Sequence, residues 1–475
     1  MSKGKFKANL VILILGLTFF SCDFNKKGVT VISDKEGITV ISDKEGITVI
    51  SGEITNPIGN TIEITGQDVS IEIKINEDGT FRDTLNISSS YYNLAQGRER
   101  TQVYLEPKYN LTITLDTEYF DESISFNGIG SENNNFLKDK FLHKEVNLLD
   151  IPSIFKLDET EFMAKINEIK KSDYEFINKY SSISTEFRDL EIKSIDYSYL
   201  QFLQRYPIYH EFYAKKPPVF GEKFMLPLEE ISYTDDEDYK MFPTYKSLVI
   251  GHFQNVLEKS NNIKEDFREL KKMKSTIIKN DLVKQGSYML SAGNKKNKEI
   301  FNTLVQLSND SLLVNKLTNK FNVLSKLDKG MESPEFSDYE NYNGGTTSLV
   351  DLKGKFVYID VWATWCGPCI REIPSLQKVE EEYHDKNIYF VSMSIDERNG
   401  PKYNHEKWKE MIVEKNLTGI QLFADNAWKS KFTMAYGIDS IPRFLLIDPD
   451  GNIVSGNAPR PSDPALVELF NSLGF

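Results

Sequence analysis

The stretch Val357-Tyr358-Ile359-Asp360-Val361-Trp362-Ala363-Thr364-Trp365-Cys366-Gly367-Pro368-Cys369 is an apolar run that ends in a paired-cysteine turn opening a helical pattern. Strand, thiol turn and helix in that order constrain the chain more than any other feature. Two residues between the cysteines place both thiols in the first helical turn, where unpaired backbone N–H groups and the positive end of the helix dipole favour a thiolate. Cys366 is the better-placed nucleophile. Such a pair is otherwise read as half of a structural zinc site or as a fixed disulfide. Partners for zinc are lacking, because the third and last cysteine is Cys22 and because His384 and His405 do not have zinc-finger spacing. The pair is therefore expected to be a dithiol/disulfide couple, with no metal and no cofactor.

A chain of 475 residues is too long for one ordinary core, so two to three domains are expected. A formal net charge of −13 without clustered Lys and Arg argues against nucleic acid as a partner. Residues 1–21 carry Lys3, Lys5 and Lys7, then the apolar run Leu10–Leu17, then Phe19-Phe20-Ser21 ahead of Cys22. Basic, apolar and cleavage regions follow one another as in a signal peptide, and the apolar run is shorter than the roughly 20 residues of a spanning helix. With a cysteine at the cleavage point, the segment resembles a bacterial lipoprotein signal. That likeness implies lipidation of Cys22 and anchoring to a membrane surface in an oxidising compartment. The other reading is an ordinary secretory signal followed by a stray cysteine.

Residues 22–51 contain a nine-residue repeat, Gly28–Glu36, Gly37–Glu45 and the partial unit Gly46–Ser51. A spacer between lipid and folded body is expected; the alternative is strand pairing, since the Ile-Thr-Val-Ile core is strongly β-prone. Residues 52–130 alternate apolar side chains at every second position, as in Ile71, Ile73 and Ile75 or Leu111, Ile113 and Leu115, with turns at Pro57–Asn60 and Glu77–Gly79. The pattern predicts a small antiparallel β-sandwich or barrel. Residues 131–330 change to a helical period, with charged segments such as Glu159–Tyr180 and Asn261–Lys274, and predict an α-helical middle domain. Its aromatic stretch from Tyr197 to Tyr213 reads as core, with a partner-binding surface as the alternative.

Residues 331–475 alternate strands and helices: strands over 356–362, 388–395, 421–423, 443–447 and 452–454, helices over 366–383, 405–414 and 428–436. This predicts an α/β domain with a partly parallel sheet covered on both faces and an antiparallel hairpin edge. The cysteine pair falls at the C-terminal end of the first strand, where open α/β sheets place their chemistry. Asp360 lies six residues before Cys366, Pro374 five after Cys369, and Ile441-Pro442 immediately before a strand. On these residues the segment resembles the thioredoxin fold. Arg371-Glu372-Ile373-Pro374, the extra strand and helix ahead of Ile441-Pro442, and the lipoprotein-type leader make it similar to the TlpA/ResA-like branch of extracytoplasmic thiol-disulfide oxidoreductases. The β-domain resembles an uncharacterised module found ahead of such domains.

The resemblance implies roles for particular residues. Cys366 and Cys369 form the redox disulfide, and Asp360 accepts the proton of the resolving Cys369, unless it is a solvated strand-end carboxylate. Glu372, placed in the first helical turn beside the cysteines, tunes their titration. Pro442 follows a cis bond and faces the disulfide, the Ile441 backbone pairs with substrate like an added strand, and Trp365 shields the thiolate or simply packs. Pro374 is structural, a kink where a backbone donor is missing. The expected activity is reduction of disulfides in partner proteins, with a membrane electron donor to regenerate the dithiol. Oxidase or isomerase activity is the alternative within enzymes. A surface ligand-binding lipoprotein with an accessory redox module is the alternative outside them.

Overall fold

The computed structural model of the protein describes residues 46–66, 69–147, 150–259, 268, 270–400 and 404–475. The leader, Cys22 and the first two repeat units lie outside the described residues, as does most of Asn261–Lys274. Eight strands come first: β1 (Thr48–Thr55), β2 (Thr61–Thr65), β3 (Ser70–Lys74), β4 (Thr80–Leu85), β5 (Ser90–Gln96), β6 (Glu99–Leu105), β7 (Asn110–Asp116) and β8 (Ser125–Ile129). They form two four-stranded sheets, ordered β4-β1-β7-β8 and β3-β2-β5-β6, and neither closes into a barrel. The alternating side chains Ile50, Ile62, Ile64, Leu94, Leu111 and Ile113 from both sheets meet in one core.

Two expectations need correction here. The sheets are not purely antiparallel, since β1 and β7 run parallel over Val49–Thr55 and Asn110–Asp116. Parallel neighbours need a long crossover, and the chain between β1 and β7 supplies one by building the second sheet. The segment expected as spacer also ends early, because Thr48–Ser51 belong to β1. Ile50 is buried, and the Thr48 hydroxyl donates to the Glu106 carbonyl at 2.7 Å, so this β-branched run fills a slot between β4 and β7.

The middle segment contains the helices Ser131–Asn147, Glu159–Ile177, Thr185–Ala214, Pro243–Lys259, Thr276–Gly286, Asn297–Leu307 and Ser311–Leu324. Several start at side-chain caps: Asp158 accepts the Glu161 N–H at 3.0 Å, and Asp310 accepts those of Leu312 and Leu313 at 2.9 and 3.1 Å. The helices divide their apolar faces between neighbours. Phe136, Ile177, Phe187 and Ile195 complete the core of the β-sheets. Phe155, Phe162, Leu203 and Tyr206 form a cluster of their own. Leu282, Leu304, Leu317, Leu324 and Leu327 join the core of the C-terminal domain. The aromatic stretch is split in the same way, with Leu203 and Tyr206 buried and Ile208 and Phe212 exposed.

The C-terminal sheet comprises β9 (Tyr339–Asn341), β10 (Thr346–Thr347), β11 (Phe356–Trp362), β12 (Ile388–Ser394), β13 (Ile420–Phe423), β14 (Arg443–Ile447) and β15 (Ile453–Ser455), in the order β10-β9-β13-β12-β11-β14-β15. β11, β12 and β13 are parallel, whereas β14 runs antiparallel to β11. The pleat of β11 sends Tyr358 and Asp360 to one face, and there Tyr358 packs with Leu376, Val379 and Tyr383 of the cysteine helix Gly367–Tyr383 and with Phe470 of the helix Pro464–Ser472. Ile359 and Val361 face the other way, into the core that holds Trp408 of the helix His405–Glu414. The helix expected over 428–436 is instead a short turn, Ala427–Lys429, and a helix, Lys431–Ala435, broken at Ser430, whose hydroxyl caps Thr433.

Candidate active site

β11 carries the chain to the site. Its last carbonyl, on Trp362, accepts from Ile395 N at 2.9 Å, and a turn closed by Cys366 N donating to the Ala363 carbonyl at 3.0 Å redirects the backbone. Cys366 is the N-cap residue of the cysteine helix, and its Sγ accepts the backbone N–H of Cys369 at 3.2 Å. The two sulfurs form a disulfide, and both cysteines are buried. Pro368 falls in the first turn, where the missing N–H costs the helix nothing, and it leaves one donor fewer to stabilise a thiolate on Cys366. The helix runs on through Pro374.

On β11, six residues before Cys366, Asp360 is buried, and its Oδ1 has no hydrogen-bond partner among the described residues. Burial, with smaller contributions from Glu380 and Glu372, pushes its pKa up to about 8. Glu380 is itself buried; burial raises its pKa, and it accepts a short hydrogen bond from the Thr418 hydroxyl. The charges of Glu380 and Glu372, both on the cysteine helix, thus act on Asp360 from across the sheet face.

Glu372 differs from its expected position. The helix begins at Gly367, so Glu372 lies in the second turn and not the first. Its carboxylate binds Ser462, accepting from the backbone N at 3.1 Å and the hydroxyl at 2.9 Å. Trp365 is 40% exposed, with its ring 6.1 Å from that of Trp428. The Ile441–Pro442 bond is cis. Because Val361 pairs with Arg443 in an antiparallel register, Ile441 and Pro442 lie beyond the C-terminal end of β11, the end from which the cysteines emerge. Cys22 lies outside the described residues.

One residue was missed by sequence reasoning. Asp396 is fully buried and accepts from Thr364 N at 3.2 and 3.0 Å, from the Thr364 hydroxyl at 2.8 Å and from the Ser394 hydroxyl at 2.8 Å. It thereby holds the turn two residues before Cys366. Its trace in the sequence is the alternation Ser392, Ser394, Asp396 at the end of an apolar strand. Among the described residues, no group of three or more His, Cys, Asp or Glu side chains is arranged to hold a metal ion.

A cysteine pair at a helix N-terminus, set at the end of a central strand that itself carries a buried acid, is the arrangement of a thioredoxin-like enzyme that exchanges electrons with disulfides. Comparison with known sequences agrees. The Redoxin family profile matches residues 328–468. Thiol-disulfide oxidoreductase ResA of Bacillus thuringiensis (strain Al Hakam) is 31% identical over 134 residues, 27% of this chain and 69% of that protein. ResA of Bacillus cereus is 27% identical over 163 residues, 34% of this chain and 87% of that one. The crystal structure of the thioredoxin domain of a thiol-disulfide oxidoreductase from Bacteroides vulgatus is 27% identical, with a TM-score of 0.28, and the match covers 31% of this chain and 98% of the other. The chain belongs to the ResA-like thiol-disulfide oxidoreductases, by virtue of its C-terminal domain.

Proposed function

We propose that the protein is an extracytoplasmic disulfide reductase, anchored to a membrane through lipid on Cys22, that acts on disulfide-containing partner proteins. Reduced Cys366, as thiolate, attacks one sulfur of a partner's disulfide, forming a mixed disulfide and releasing the partner's other sulfur as a thiolate. Asp360 in its ionised form accepts the proton of Cys369, whose sulfur then attacks Cys366 Sγ. The Cys366–Cys369 disulfide closes and the partner leaves with two thiols. A membrane electron donor returns the two electrons. The Ile441 backbone at Pro442 holds the partner's chain, Trp365 borders the docked segment, and Glu372 tunes the titration of the pair from one helical turn away. No helix among the described residues is long and apolar enough to cross a membrane.

The observation that carries the direction is the acidic, donor-poor surroundings of the pair. The Cys366 sulfur accepts one N–H, from Cys369, Pro368 has none to offer, and the strand and helix that flank the pair carry Asp360, Glu372 and Glu380. Strong oxidants owe their potential to a stabilised reduced thiolate; a single N–H to the Cys366 sulfur and a buried acid on the preceding strand favour weaker stabilisation than that. Equilibration of the full chain with dithiothreitol or glutathione couples tests this. A midpoint near the thioredoxin value of about −270 mV supports a reductase, and one near the DsbA value of about −120 mV contradicts it.

A further inference from the structure

The segment Tyr436–Pro442 links the short helix Lys431–Ala435 to β14 and contains the Ile441 backbone. Its first residues are held locally, by Tyr436 N to Phe432 O at 3.0 Å and Ile438 N to Thr433 O at 2.9 Å. Beyond Ile438 the support changes. Among the described residues, no backbone hydrogen bond joins Asp439, Ser440 or Ile441 to another strand or loop. Such open backbone is what a docking edge needs, and something else must hold it in place.

That support comes from outside the redox domain. Lys320, on the helix Ser311–Leu324, donates from Nζ to Asp439 Oδ2 at 2.7 Å; its side chain is 15% exposed, and its ammonium lies 5.4 Å from the centre of the Tyr288 ring. Val323 and Leu324 follow Lys320 at i+3 and i+4, on the same helix face. They lie beside Gly437, where an added Cβ would stand in ordinary van der Waals contact with Val323 Cγ1 at 3.4 Å and Leu324 Cδ2 at 3.5 Å. Asp439 has a second cation within electrostatic reach, Arg443, which also donates to Asn457 at 2.9 Å. Removing Lys320 leaves Asp439 with Arg443 alone and frees the segment to move toward it.

We propose that Lys320 is a positioning residue for substrate docking, acting through Asp439 to hold the Ile441 backbone in register with the cysteine pair. This rests on the reading of Ile441 as the docking edge, and it gives the helical segment a share in substrate selection. The test uses the full chain, reduced, in single-turnover reactions with oxidised insulin, whose chain needs docking, and with 5,5′-dithiobis(2-nitrobenzoate), which does not. Lys320→Ala should raise the half-saturating insulin concentration about fivefold or more, as expected when a reacting chain is misplaced, while the aromatic disulfide reacts at the parent rate and the midpoint potential stays put. Lys320→Arg should restore the insulin reaction. Unchanged insulin kinetics in Lys320→Ala, or equal losses with both disulfides, would overturn the positioning role while leaving the parent's activity as proposed. A parent inert toward both disulfides would overturn the proposed function, and this inference with it.

Discussion

Asp360 carries a carboxylate where the charged form is least welcome. Its folded pKa of about 8 lies above the ordinary 3.8, so between those values the folded protein holds a proton that the unfolded chain releases. Stability contributed by this group is therefore full below the unfolded value and falls as pH rises through the window. Asp360→Asn removes the penalty. It should stabilise the protein by up to about 4 kcal/mol at neutral pH, at roughly 1.36 kcal/mol per pKa unit, with the gain vanishing near pH 4. The same variant should slow release of mixed disulfides by about 10²-fold, having lost its base. Urea unfolding across pH 4–9 checks the first effect and single-turnover kinetics the second; a stability difference that does not vary with pH would show that Asp360 does not titrate in this window.

At the scale of elements, legibility followed periodicity. β11, β14 and the helix His405–Glu414 have the bounds expected from the sequence, because long apolar alternation or a helical period leaves little choice. β9, β10 and the helix Pro464–Ser472 went unread. The two strands have three and two residues, too few to show a period, and β9 exists because the edge of β13 offers it a partner. Of the site residues, the cysteines and Asp360 stand out by position in the chain. Asp396 does not, since it acts through Thr364, which only folding brings close. The partial repeat unit was ambiguous between spacer and strand until β4 and β7 supplied a slot for it. Ile50, 1% exposed in that slot, should cost about 2–5 kcal/mol when changed to Ala. Urea denaturation of the full chain measures this; a change within about 0.5 kcal/mol, the size of an ordinary surface effect, would mean that the unit is not built into the sheet.

Across the whole molecule, the helical segment is a bridge. Its first helices complete the core of the β-sheets and its last ones share a core with the redox domain, so the segment Tyr436–Pro442, proposed above as the docking edge, is supported from two parts of the chain. Sequence periodicity showed helices but could not show which neighbour each face would meet. The account as a whole requires that Cys366 attack a partner's disulfide and that Cys369 resolve the adduct. The most direct measurement is capture by the full chain carrying Cys369→Ser, reduced and mixed with disulfide-containing envelope proteins, followed by electrophoresis with and without dithiothreitol. The account predicts partner proteins linked through Cys366, released by dithiothreitol and lost when Cys366→Ser is added. Adducts that persist without Cys366, or no adducts from a variant that is folded and fully reduced, would contradict it.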